Sequence, residues 1–208
     1  PLLVYNNKVM NMIIISLIIL FIVFLIWSTL MLKGKLNKLD NSFYKKIKIT
    51  NLKTSIFKCI TFLASAKLIA FLCLILLIWI KEKNIPILII VNMLLMWLLI
   101  GILKRIFKRE RPNINRLVSE KGYSYPSGHT LTATSFYGFI IFLITISPFL
   151  VSIKISLICL LSLLIFLVGY TRVYLGVHYL SDVIGAILIG TSYLLLYIFF
   201  TYFILNLI

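Results

Sequence analysis

The sequence predicts an all-α integral membrane protein, a bundle of six transmembrane helices. Of its 208 residues 62% are hydrophobic and 12% charged, which leaves too little polar surface to cover a soluble globule. The mean hydropathy is +1.12. The apolar residues also gather into six runs, each near the roughly 20 residues a bilayer requires. These are Met12 to Leu32, Ile56 to Ile80, Pro86 to Phe107, Ser127 to Ile146, Ser152 to Tyr174 and Leu180 to Asn206. Helices follow, because lipid-exposed backbone must satisfy its own hydrogen bonds. With no internal repeat, low-complexity linker or soluble domain in view, residues 1–208 read as a single membrane-embedded domain. The first run is too long for a signal-peptide core and lacks a small-residue cleavage site, so it is expected to stay as an anchor.

Lys and Arg total 21 against 5 acidic residues, a net charge of +16. That balance suits anionic headgroups or a phosphorylated ligand. The basic residues lie between spans with no recognition module around them, so nucleic acid is not the expected partner. Cys59, Cys73 and Cys159 fall in apolar runs at unrelated spacings, which argues against a disulfide framework or a zinc site. Between the first two spans Leu36, Leu39, Phe43 and Ile47 recur at helical spacing among lysines. The segment is either an amphipathic helix lying on the headgroups or a solvated basic loop. Lys67, a few turns into the second span, is expected to snorkel outward.

Three clusters carry ionisable groups to the ends of spans, where each needs a reason. The third span ends in Leu103-Lys104-Arg105-Ile106-Phe107-Lys108-Arg109-Glu110-Arg111-Pro112. If it is helical up to Pro112, Lys104, Lys108 and Arg111 share one face able to grip a phosphate; the alternative is a basic anchor at the membrane boundary. Tyr125-Pro126-Ser127-Gly128-His129 precedes the fourth span. A turn there presents unpaired amides at a helix N-terminus, Gly128 admits a ligand close to the backbone, and His129 is placed to act as a general acid. The alternative is a capping turn followed by an incidental histidine. Tyr170 to Asp182 sets Arg172, His178 and Asp182 beside the sixth span. If the chain is helical after Gly176, Asp182 lies one turn from His178 and can orient its imidazole as a nucleophile; otherwise Ser181 or Asp182 caps the helix, and Arg172 snorkels. His129 and Arg172 are 43 residues apart, room for one crossing out and one back, while Arg111 and His129 are joined without a crossing. All three clusters therefore belong to one membrane face.

Taken together, Lys104-x6-Arg111-Pro112, Pro126-Ser127-Gly128-His129 and Arg172-x5-His178-x3-Asp182 resemble the three-part signature of the type 2 phosphatidic acid phosphatase family. Thr171 stands where that family usually has serine and keeps the hydroxyl. The motifs cover residues 104–112, 126–129 and 171–182, and the six-span pattern extends the likeness to small bacterial lipid phosphatases. The resemblance implies a metal-independent lipid phosphatase without cofactor. His178 would attack phosphorus, Asp182 would support its imidazolium and His129 would protonate the leaving oxygen. Lys104, Arg111, Arg172, Ser127 and Gly128 would hold the phosphate, the last two with their backbone amides and Ser127 with its hydroxyl as well. The substrate would be undecaprenyl diphosphate, phosphatidylglycerophosphate or phosphatidate, and nothing in the sequence specifies an oligomer.

A transporter or channel for an anionic substrate is the competing class. It would more typically place its charges at mid-membrane and often shows repeated halves. Sixteen Lys and Arg fall on the face of the three clusters, against Lys8, Lys81, Lys83 and Lys154 on the other. The positive-inside tendency would turn the clusters to the cytoplasm, whereas the family resemblance implies a bacterial multi-pass protein with its site outside and both termini in the cytoplasm.

Overall fold

The computed structural model describes residues 7–47, 49–113 and 116–207, and among them finds eight helices and no strand. They are α1 (Asn7–Leu32), α2 (Asn37–Lys46), α3 (Asn51–Phe62), α4 (Ala66–Trp79), α5 (Asn84–Phe107), α6 (Gly128–Ile146), α7 (Val151–Tyr174) and α8 (Leu180–Leu207). Five are long and apolar enough to cross a bilayer alone; α3 and α4, bent by 44° at a short break, make a sixth when counted together as one span. The side chains of Lys8 and Lys48, both counted in the charge asymmetry, lie outside those described.

The second span is thus not the single rod the hydropathy suggests. Thr50 caps α3 by accepting from the Lys53 amide, and Ser65 caps α4 by accepting from that of Leu68. Between them the amides of Leu63, Ala64 and Ser65 bond three residues back, which tightens and ends the first helix. The Tyr137 hydroxyl donates to the Leu63 carbonyl at 2.7 Å, so the break is tied to α6. Lys67 is exposed just beyond it.

α6 lies at the centre, packed against α5, α7 and α8, while α1 lies along α8, α3 along α7 and α4 along α5. Two thirds of its apolar window is buried (67%), against 6% in α7; α7 turns its length to lipid and buries only its last turns, from Val168 to Tyr174. With no hydrophobic effect between helices in lipid, close packing and polar contacts hold the bundle together. Asn92 of α5 and Ser135 of α6 exchange two hydrogen bonds, Nδ2 to the Ser135 carbonyl and Oγ to Oδ1.

The tightest approach is at Gly185, where a Cβ would stand 2.3 Å from the Tyr125 hydroxyl and 2.7 Å from its ring. Tyr125 cannot yield easily: it is fully buried, bonded to Ser28 Oγ at 2.8 Å and packed edge-on to Phe107. Gly185→Ala is therefore expected to destabilise the fold by about 1–3 kcal/mol, the usual cost of overpacking, and a lower midpoint in detergent thermal unfolding checks it.

The lysine-rich segment does form a helix, α2. Leu36, just before it, is buried and Leu39 is exposed; the side chain that α2 buries is the acid Asp40.

Candidate active site

The C-terminal ends of α5 and α7, the N-terminal ends of α6 and α8, and helix α2 meet at one end of the bundle. α5 stops at Phe107 because Lys108 turns left-handed (φ +45°) and its amide closes onto the Lys104 carbonyl. Pro112 does not end the helix, and the helical face of Lys104, Lys108 and Arg111 does not exist. Lys108 is exposed, and the chain beyond it swings Arg109 and Arg111 inward.

Arg111 donates through Nε to the Gly122 carbonyl (2.9 Å), through Nη2 to that of Lys121 (3.0 Å), and through Nη1 to that of Val177 (2.9 Å) and to His178 Nε2 (3.2 Å). Four of the five guanidinium N–H groups are engaged, so Arg111 anchors the loop and the histidine and keeps one hydrogen spare. Because a guanidinium only donates, Nε2 must present its lone pair, which puts the imidazole proton on Nδ1, 3.4 Å from Asp182 Oδ2. Burial, then the charges of Arg172, Arg111 and Lys104, hold the His178 pKa well below its ordinary value of 6.5. The ring is neutral at physiological pH, with its lone pair facing the cations.

His178 and Asp182 do not share a helical face. Gly176, at φ +73°, reverses the chain after α7 so that the His178 amide approaches the Arg172 carbonyl at 3.3 Å; α8 begins only at Leu180. Asp182, in its first turn, accepts from the Tyr179 amide at 2.9 Å. The one carboxylate both caps the helix and faces the imidazole, without the shared helical face, while Arg172 is buried and does not snorkel.

Lys104 and Arg172 complete the cationic wall. The Lys104 ammonium lies 3.8 Å from where a Gly128 Cβ would stand, over the start of α6, and donates to no described side chain or carbonyl. Arg172, 1% exposed, donates from Nη1 to Thr61 Oγ1 (2.9 Å) and from Nη2 to Glu120 (2.5 Å), while its buried Nε has no partner among the described residues. Ser127 is fully buried and makes no side-chain cap on α6. Its hydroxyl accepts from Thr130, and its amide, expected to face an anion, donates instead to the Asp182 carbonyl at 3.2 Å. Gly128 opens α6, leaving the first amides of that helix to an anion. His129 is half-buried in that first turn, within electrostatic reach of Arg172, Glu120, His178 and Lys104. The place between these groups has an orphaned guanidinium N–H, a free ammonium and uncapped amides, the donor set of a tetrahedral oxyanion.

A family model described as the PAP2 superfamily matches residues 85–205, more than half of the chain and all three clusters. The chain belongs to the PAP2 superfamily. Among curated PAP2 relatives, phosphatidylglycerophosphatase B of Bacillus subtilis (strain 168) is 40% identical over 94 residues, 45% of this chain and 46% of that protein. The match thus spans about half the length of the curated relative. Among solved structures, the transmembrane PAP2 type phosphatidylglycerolphosphate phosphatase from Bacillus subtilis superposes with a TM-score of 0.82 at 28% identity, covering 89% of this chain and 95% of that one. Aquifex aeolicus LpxE superposes at 0.63 with 26% identity, covering 77% and 94%.

Other members of this PAP2 site escape the motif. Arg109 donates from Nη1 to Asp182 Oδ1 and Ser181 Oγ (both 2.6 Å) and from Nη2 to Asp40 Oδ2 (2.9 Å), its guanidinium lying 4.1 Å from the centre of the Tyr179 ring. Asp40 in turn accepts from the Ser181 amide (2.9 Å) and hydroxyl (2.7 Å). The Tyr44 hydroxyl, also on α2, donates to the His178 carbonyl. Two buried carboxylates thus share one guanidinium, and α2 is strapped across the back of the Asp182–His178 pair. The available signal was scarcity: in a chain of net charge +16 with five acids, an aspartate among lysines is an unusual choice.

Proposed function

We propose that this chain is a membrane lipid phosphatase that works through a phosphohistidine on His178. The observation that carries the proposal is the orientation of that imidazole, its proton toward Asp182 and its lone pair toward the cationic wall. Nε2 attacks phosphorus in line, the bond from phosphorus to the lipid oxygen breaks, and His129 gives that oxygen its proton. Asp182 stabilises the imidazolium. His129 then takes a proton from water, whose oxygen attacks the phosphohistidine and frees inorganic phosphate and His178. Lys104, Arg172, the spare hydrogen of Arg111, the Ser127 hydroxyl and the Gly128 amide neutralise the equatorial oxygens, the dominant contribution in phosphoryl transfer.

A lipid substrate suits a cradle at the ends of membrane spans. An apolar groove of about 200 Å³ between α4 and α5, lined by Cys73, Ile90, Met93 and Trp97, ends about 10 Å along α5 from Lys104, at 1.5 Å per residue, and suits an acyl or prenyl chain. The name of the Bacillus subtilis relative makes phosphatidylglycerophosphate the first substrate to try, with phosphatidate and undecaprenyl diphosphate beside it. Phosphate release from this panel in mixed micelles tests the proposal. Turnover of at least one lipid is expected to persist in excess EDTA and to be inhibited by vanadate, which mimics the five-coordinate phosphorus. Loss of turnover in EDTA that magnesium restores would count against the mechanism.

We place the site outside the cytoplasm, with the family's orientation and against the count of basic residues. Part of the excess on that face is explained by the site itself, since Arg109, Arg111 and Arg172 are held there by the contacts above and the Lys104 ammonium lies over the start of α6. A cysteine introduced at Lys45, on exposed α2, is expected to react with an impermeant maleimide in intact cells. Labelling only after lysis would reverse the assignment.

A further inference from the structure

Glu120 lies against the cationic wall although its charge is the wrong sign for an anion site. Its carboxylate is 2.5 Å from Arg172 Nη2, its side chain is 28% exposed, and its charge acts on Lys104, Arg111, Arg172, His129 and His178. With Arg111, Arg116, Gly122 and Tyr123 it also lines a polar cavity of about 430 Å³ on the loop side of the wall. The catalytic scheme above gives it no task.

We propose that Glu120 is a resident counter-anion: it occupies the guanidinium edge of Arg172 in the empty enzyme, yields it to the substrate phosphate by turning into the polar cavity, and returns to expel the inorganic phosphate product. This rests on the phosphatase assignment. Without Glu120, Lys104, Arg111 and Arg172 would present three cations to a low-dielectric interior against one carboxylate in reach, Asp182, which already pairs with Arg109, and under-balanced buried charge is costly. A phosphate cannot use Arg172 Nη2 while the carboxylate holds it, and two anions side by side repel. Glu120 is tethered, so it competes at a high effective concentration.

Burial alone would raise the Glu120 pKa, but the Arg172 guanidinium beside it brings it below the ordinary carboxylate value of 4.5. The competitor is therefore charged at neutral pH. Its effect is to weaken ground-state binding of substrate and product alike, which favours turnover because free phosphate would otherwise remain on the wall.

The test uses full-length protein with Glu120→Gln and Glu120→Ala, and compares the inhibition constants of orthovanadate and inorganic phosphate with those of the wild type. Both constants are expected to fall about tenfold or more, the scale of one charge-assisted hydrogen bond, with a lower KM and a lower kcat as product leaves more slowly. Constants that stay the same or rise, with the wild type still inhibited, overturn the proposal and make Glu120 an anchor that orients Arg172. If vanadate does not inhibit the wild type, it is the phosphatase assignment that fails. Glu120→Asp, whose carboxylate is one methylene short of Arg172, is expected to shift both constants the same way by less. Loss of the fold in all three variants likewise overturns the proposal.

Discussion

Replacing His178 by alanine is expected to abolish phosphate release, lowering kcat/KM on the order of 10⁴-fold or more, because the nucleophile and the covalent intermediate go together. The fold should survive. Arg111 still bonds the carbonyls of Gly122, Lys121 and Val177, and Asp182 remains paired with Arg109. Two measurements check the assignment: the rate of phosphate release, and radiolabel from a phosphate-labelled lipid trapped on the wild-type protein in an acid-labile, base-stable form. A His178→Ala variant that keeps more than about a tenth of the rate would exclude a covalent role for this residue. The same variant separates the two classes open in the sequence, since a transporter need not lose its function with this imidazole.

Arg109→Leu is expected to be the most destabilising of the changes considered. It would leave Asp40 and Asp182 buried, at 1% and 0% exposure, without their shared cation. Removing one partner of a buried ion pair costs about 3–5 kcal/mol, seen as a large drop in the unfolding midpoint. The protein that remains folded should lose on the order of a hundredfold in kcat/KM, the scale of a misplaced reacting group. Arg109→Lys keeps the charge but not the planar fork that reaches both carboxylates, so an intermediate loss is expected. Asp40→Asn should lower kcat with little change in KM, because Asp40 acts on Asp182 only through Arg109 and Ser181 and does not line the phosphate cradle. Equal stability of Arg109→Leu and wild type would show that the buried network carries no weight.

The spans and the three clusters were legible in the sequence for one reason: a bilayer demands about 20 apolar residues at a time, so every ionisable side chain at their margins stands out. Three features were hidden. The break between α3 and α4 depends on the Ser65 hydroxyl capping in the middle of an apolar run, and averaged hydropathy passes over a single hydroxyl. The early end of α5 depends on a left-handed lysine, a conformation that no residue type at 108 announces. That turn leaves Lys108 exposed and carries Arg109 to the carboxylates of Asp40 and Asp182. Asp40 pairs with Arg109, 69 residues away, and accepts from Ser181, 141 residues away, and nothing in the spacing within its own helix announces its burial. Long-range ion pairs of this kind leave no local periodicity.

Nε2 of His178 is not bare: an Nη1 hydrogen of Arg111 covers it. A neutral electrophile drifting in from the acyl region meets a shielded nitrogen, and nothing draws the guanidinium aside. An oxyanion does draw it, being the stronger acceptor for that cation, and the nitrogen is uncovered in the same movement. The histidine is thereby safeguarded until negative charge arrives, and alkylating headgroup analogues without such a charge should leave it unmodified.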